Sequence, residues 1–431
     1  MKYLRQVIFE LRHQKLMSWL SIIGTSIAIF LVMSDFMIYN MDNVSVAPES
    51  RRPRIVYGFG SDFTSPFGGY SGFLSYDLAR EIYDGLEGVE SVAYSGGPAE
   101  QSNVSLKNKM PELFPLKVVD ENYWEIYDYT FLEGSPFTKE EVESGVKNVI
   151  LSKSVAEQLF GKQSSYIGKE IIVKNKPWVI TGIIKDVNPL LNASYAGVFI
   201  PHIAAGYLEE KWSSFGLGSY VPALLLKEGV SVDYVRQQIK NRYGKYNERR
   251  KLENIELIYH NQPYTLQESL QARTNMSPDL SDKYRMRIIG YLILLIIPAI
   301  NLSSMTRSRM SQRVSEIGLR RAFGCTRMRI IFDLLAENLV LTLIGGVIGL
   351  LFCIIFILGF SNYYIAYGGL LPTSLEILSS RPSFEMLFSW KAFGIILVFC
   401  FILNILSAGV PATKAALINP AEALNGQNAH K

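Results

Sequence analysis

Four stretches of this chain are long and almost free of charge, and they limit every other reading. They cover residues 16–38, 288–306, 339–360 and 392–410. Each is close to the roughly 20 residues that an α-helix needs to cross a hydrocarbon core of about 30 Å. The competing explanation is the buried core helix of a soluble domain, which rarely yields four such runs flanked by basic residues. Charged residues make up 19% of the chain and hydrophobic ones 48%, a balance that suits a protein part membrane and part aqueous. The net charge of +4 is too mild to argue for nucleic acid, and none is expected as a partner.

Lys and Arg counts in short loops orient the runs, because basic loops stay cytoplasmic. Lys2, Arg5, Arg12 and Lys15 precede the first run, and Arg307, Arg309, Arg313, Arg320, Arg321, Arg327 and Arg329 follow the second. Both stretches are expected inside. Loop 361–391 holds only Arg381 and Lys391 and is expected outside. The fold class that follows is a membrane protein of four transmembrane helices, both termini inside. A large mixed α+β extracytoplasmic domain lies between helices 1 and 2. No small-x-small cleavage site closes the first run, and Ser34-Asp35-Phe36 leads out of it, so it reads as an uncleaved signal anchor. In residues 1–15, Leu4, Val7, Ile8 and Leu11 recur at helical spacing, which gives an amphipathic helix that can lie on membrane lipid.

Residues 16–43 then read as helix 1 with a stalk, and 277–306 as a stalk and helix 2, begun by Ser277-Pro278-Asp279. The outer domain is residues 44–276. Strands are expected over 54–57, 89–95, 117–120, 149–151, 170–174, 178–185 and 255–259, and helices over 75–86, 153–160 and 232–242. Residues 58–72, rich in Gly and aromatics, read as a loop. No cysteine falls between residues 41 and 283, so no disulfide framework supports the domain. The four histidines lack ligand-like spacing, so no metal site is expected.

The cytoplasmic stretch 307–338 breaks into two helices, with Gly324 as C-cap and Thr326 as N-cap. Before the break Arg309, Arg313, Glu316 and Arg320 share a face, and Glu316 precedes Arg320 by four, the favoured order for a helix ion pair. Such a helix docks a cytoplasmic partner or lies on anionic lipid. In the third run Gly345-x-x-x-Gly349 lets another helix approach closely and is compatible with a dimer interface. Few ionisable groups sit in the runs, which argues against a conducting path through them.

Here the chain resembles a family. SEIGLRRAFG at 315–324, GGVIG at 345–349 and the tail PATKAALINPAEALN at 411–425 resemble the permease subunits of the MacB, FtsX and lipoprotein-release (type VII) ABC transporters. In the outer domain, ENYWEIYDYTFLEGSPFTKEE, VILSKSVAEQLFG and IGKEIIVKNKPWVITGIIKDV do so in order and spacing. The resemblance implies a porter-like lobe with an inserted lobe near 140–205, in a bacterial cytoplasmic membrane with the domain in the periplasm. It implies that Arg313, Glu316, Ile317, Gly318, Arg320, Arg321, Ala322 and Gly324 couple the chain to a cytoplasmic ABC ATPase dimer. ATP and Mg would be used by that partner, with no cofactor in this chain. A second permease, copy or relative, is expected, with a periplasmic adaptor or outer-membrane channel as a further partner.

No GxxxxGK[ST] phosphate loop occurs, so the chain is expected to be a non-catalytic subunit with its ATPase on a separate polypeptide. The expected function is mechanotransmission, by which cytoplasmic ATP hydrolysis reshapes the periplasmic domain to export or extract a peptide, antibiotic or lipoprotein. The alternative is an FtsX-like regulatory module that controls a periplasmic cell-wall hydrolase. It is the less favoured of the two, because the outer domain is larger than that role needs.

Overall fold

The structure is a computed structural model. It describes residues 15–43, 45–189, 191, 193–207, 212–269, 281–282, 284–294, 296, 319–320 and 322–367. Between 390 and 413 it describes residues 390, 393–395, 397–398, 401–402, 405, 409 and 413. These fall into two compact units, one drawn from residues 1–40, 281–360 and 383–431, the other from 41–280 and 361–382.

The first unit is helical. Its described elements include residues 15–40 of α1 (Lys15–Asn43), a helical stretch within residues 281–296, and residues 327–360 of a helix that spans Arg327–Tyr367. Among the described residues, Leu339–Phe356 is the one helical stretch long and apolar enough to cross a membrane, and Ile22–Met37 is a shorter apolar one. Residues 1–14 of the amphipathic helix expected over 1–15, the start signal at 277–279 and more than half of the second and fourth runs lie outside the described residues.

The second unit carries fourteen strands among its described residues. In chain order they are β1 (Ile55–Tyr57), β2 (Ser61–Ser65), β3 (Gly68–Leu74), β4 (Val89–Ser95), β5 (Glu100–Ser105), β6 (Glu112–Val119) and β7 (Phe131–Gly134). They continue with β8 (Asn148–Ser152), β9 (Glu170–Val173), β10 (Lys176–Ile184), β11 (Val198–Pro201), β12 (Leu217–Gly218), β13 (Val221–Leu226) and β14 (Glu256–Ile258). The longer helices are α2 (Tyr76–Tyr83), α3 (Lys153–Phe160) and α4 (Val232–Arg250); the long helix Arg327–Tyr367 is α5.

Strand alternation builds two cores on opposite faces of one sheet. Successive side chains of a strand point to opposite faces. Val56 of β1, Val92 and Tyr94 of β4, and Leu224 and Leu226 of β13 join a core closed by Leu78 and Ile82 of α2 and Val235 and Ile239 of α4. Their neighbours Ile55, Tyr57, Ala93, Ala223 and Leu225 join the other core, with Tyr123, Tyr127 and Phe199. Helix α2 starts where Ser75 caps it, its side chain accepting from the Leu78 N–H.

The sheet continues β1-β13-β4-β6-β11-β8-β10-β9-β5, and β5 pairs back onto β6. Six strands, β6-β11-β8-β10-β9-β5, therefore close on themselves. Val104, Phe114, Leu116, Val149, Leu151, Trp178, Ile180 and Val198 fill the ring, and Val155, Ala156 and Leu159 of α3 pack against them. The closed lobe thus takes in β5 and β6 as well as residues of the expected 140–205 segment.

Residues 58–72 do not form the expected loop. They build the β2–β3 hairpin, paired from Ser61↔Gly72 to Ser65↔Gly68, within a second sheet ordered β12-β3-β2-β14. Phe63 explains the hairpin: it is buried against Phe215 and Tyr246, with ring centroids 5.1 and 6.3 Å away.

Candidate coupling site

The break at Gly324 is built as a helix terminus. Gly324 sits at φ +85°, the left-handed conformation that glycine adopts without steric cost. The Cys325 N–H then reaches back to the Arg320 carbonyl at 3.0 Å, and the Phe323 N–H donates to the Leu319 carbonyl at 3.1 Å. The first of these closes a Schellman-type end. Thr326 precedes the first residue of α5, and its carbonyl accepts from the Ile330 N–H at 3.3 Å. Of the expected coupling residues, Arg320 and Ala322 are exposed at this terminus with Gly324. Arg313, Glu316, Ile317, Gly318 and Arg321 lie outside the described residues. Pattern reasoning followed the charges and missed the apolar side chains beside them. Phe323 is 85% exposed, and Met328 and Phe332 are exposed on α5.

Beyond the break α5 runs without interruption into the apolar run. Its 41 residues extend about 62 Å at 1.5 Å per residue. It lies on α1 through small residues. A methyl group on Gly349 would stand 2.5 Å from the Ser26 carbonyl oxygen, and one on Gly345 would stand 3.0 Å from Thr25 Cβ and 3.1 Å from the Ile22 carbonyl oxygen. The Gly345-x-x-x-Gly349 pattern, compatible in sequence with a dimer interface, is used inside the chain. Further along, the Cys353 thiol lies 3.4 Å from the Ser34 hydroxyl and 3.3 Å from the Met37 thioether, and Phe30 and Phe356 meet edge to face at 5.4 Å.

Asp35 is the functional candidate that sequence reading passed over. Its Oδ2 accepts from the Tyr291 hydroxyl at 2.6 Å and pairs with Arg287 Nε at 3.2 Å. The signal was present, since an acid at the end of an apolar run and an Arg at the start of the next invite pairing.

In the outer unit, the residues that follow α1 in sequence are sewn into the sheet. Glu49 is fully buried; one oxygen takes Arg52 Nε at 2.7 Å, the other the Ser194 N–H and hydroxyl at 3.1 and 2.7 Å. The neighbouring carbonyls of Ala193 and Ser194 accept from Lys117 and Tyr129. Burial pushes the Lys117 ammonium down to about 8, against the opposing pull of the Glu49 charge. Residues 262–268 return to the strand that opens the sheet. Tyr264 exchanges backbone hydrogen bonds with Tyr57 of β1 at 2.7 and 2.8 Å, buried Gln262 accepts from the Phe59 N–H at 2.7 Å, and Arg236 pairs with Glu268 at 2.7 Å. Among the described residues, no group of three His, Cys, Asp or Glu could hold a metal ion.

Residues 18–242 match the MacB-like periplasmic core domain, and residues 288–420 match the FtsX-like permease C-terminal domain. The chain belongs to the MacB/FtsX family of ABC transporter permeases. The permease is 24% identical over 340 residues to the ABC transporter permease YknZ of Bacillus subtilis (strain 168), covering 79% of this chain and 77% of that one. It is 22% identical over 352 residues to the macrolide export ATP-binding/permease protein MacB of Escherichia coli O157:H7, covering 79% of this chain and 48% of that one. The permease therefore spans about half the length of MacB. Among solved structures it is similar to the periplasmic region of MacB from Actinobacillus actinomycetemcomitans, with a TM-score of 0.36 and 13% identity over 52% of this chain and 95% of that one. It is also similar to the extracellular domain of YknZ from Gram-positive bacteria, with a TM-score of 0.31 and 19% identity over 46% of this chain and 99% of that one.

Proposed function

We propose that this permease is the membrane subunit of a bacterial inner-membrane ABC transporter that works by mechanotransmission. A cytoplasmic ATPase dimer, using ATP and Mg, closes and moves the 307–338 region. Four membrane helices, with both termini inside, pass that movement to the periplasmic domain, which reshapes around a peptide, antibiotic or lipoprotein. A second permease completes the membrane part, and an adaptor or outer-membrane channel receives the substrate. The chain performs no chemistry itself.

The observation that carries this reading is the continuity of α5 from the Gly324 break through the apolar stretch. A helix with its ladder unbroken transmits displacement along its axis. Met328 lies about three turns, roughly 16 Å, before Leu339, farther than the roughly 5–8 Å headgroup layer is deep if the membrane begins at Leu339. Exposed Phe323 and Met328 then face water unless a protein covers them, and this favours docking of a partner over a lipid-bound helix.

The test is co-purification of the full chain with its ATPase, followed by charge reversal at Glu316 or Arg320. Loss of the complex, or of ATP-dependent movement in the periplasmic domain and of transport, is expected. An intact complex with unchanged movement and transport would overturn the coupling role. Capture of a cell-wall hydrolase in place of a channel or adaptor would assign the regulatory function.

A further inference from the structure

An isolated carboxylate is poorly tolerated in an apolar helix, since a central Asp costs roughly 2.5–3.5 kcal/mol on insertion scales. Asp35 lies near the end of Ile22–Met37, the apolar part of α1, where the cost is smaller but still unfavourable. It is not isolated, because the Tyr291 hydroxyl and Arg287 Nε converge on one of its oxygens at 2.6 and 3.2 Å. The two donors are four residues apart, so they sit on one face of one helical turn. Around them Ile288, Ile289, Leu292 and Ile293 are exposed apolar side chains. The Asp35 side chain is half-buried and the Arg287 side chain more so, and where these apolar side chains meet lipid the alternative to the contact is an unpaired charge.

Position along the chain gives the contact a use. Helix α1 leads into the segment that carries Glu49, and residues 281–296 follow the segment that carries Glu268. The two helices are therefore the two strings by which the chain holds its outer domain.

We propose that Asp35, Arg287 and Tyr291 form a polar latch that makes the outer parts of the first two membrane helices move as one lever. Displacement of α1 by α5 then reaches both ends of the outer domain together. This rests on the mechanotransmission reading for its use, though not for its existence. All three are positioning residues.

The test uses the full chain in lipid nanodiscs with genetically encoded spin labels at the exposed positions Leu31 and Ile288. Without nucleotide or partner, the wild type gives one narrow distance distribution. D35N and Y291F lose the narrow peak, and the charge swap D35R/R287D restores it. An unchanged peak in D35N, or a swap that behaves no better than D35N, overturns the latch. With the ATPase subunit and MgATP, the wild type shifts its outer-domain distances. D35N keeps ATP turnover and loses that shift, and the swap recovers it. A D35N variant that shifts like the wild type overturns the proposed use. A wild type that never shifts overturns mechanotransmission, while the latch is still decided by the nucleotide-free measurement.

Discussion

The seam between α1 and α5 and the buried knot around Glu49 hold the chain by opposite means. At the seam, Gly345 and Gly349 let backbones touch, and attraction comes from many weak contacts that survive a small slide. In the knot, one carboxylate takes three hydrogen-bond donors, one of them a guanidinium, in full burial. Such a group tolerates no slide, because losing one partner strands a charge away from water. The difference teaches where this molecule can move. The helix seam is held by packing, whereas the start of the outer domain is fixed to its sheet by a buried ion pair.

That contrast can be broken first at the knot. Glu49→Ala leaves Arg52 buried without its acid and is expected to cost about 3–5 kcal/mol, read as lower protection of outer-domain amides in hydrogen exchange on the full chain. If protection stays at wild-type level, the knot is not what fixes the segment. The next effect is the pH dependence from Lys117. Its folded pKa lies near 8 against 10.5 for the free side chain. Between those values the unfolded chain binds more protons, so stability should rise with pH by on the order of 3 kcal/mol. Below pH 8 the folded state carries the full cost. K117M should flatten the rise in denaturant titrations followed by Trp fluorescence, and should be the more stable protein at neutral pH.

At the seam, Gly349→Val forces a side chain into the Ser26 carbonyl and should cost about 1–3 kcal/mol. Cys353, buried there, should become reactive to maleimide, while outer-domain exchange stays unchanged. The smallest effect belongs to Gly324→Ala, about 1 kcal/mol from the left-handed backbone. It should appear as faster exchange confined to residues 319–326.

Much of the local structure was legible. The helix start at 75, the end at 160 and the break at Gly324 were readable because capping chemistry is local. Between the strands expected over 170–174 and 178–185 the chain turns at Lys174 and Asn175, both at positive φ, and Lys176 and Pro177 already pair in β10. The β2–β3 hairpin was not, because Gly68, Gly69 and Gly72 hide the alternation and Phe63 gains its partners from distant Phe215 and Tyr246. Closure of β5 onto β6 and β9 depends on pairings far apart in sequence, which no local window contains. Of the coupling site, the break and its charges were readable. The Asp35 contact left only a faint mark, an acid ending one apolar run and an Arg opening another, because its partners lie on a helix more than 250 residues away.

The ring of six strands has one more consequence. A sheet that returns on itself has no open edge along that circuit, so those strands offer no backbone template to a passing chain. Any partner must then recognise the lobe by side chains and loops, which can change between relatives without unpicking the circuit beneath them.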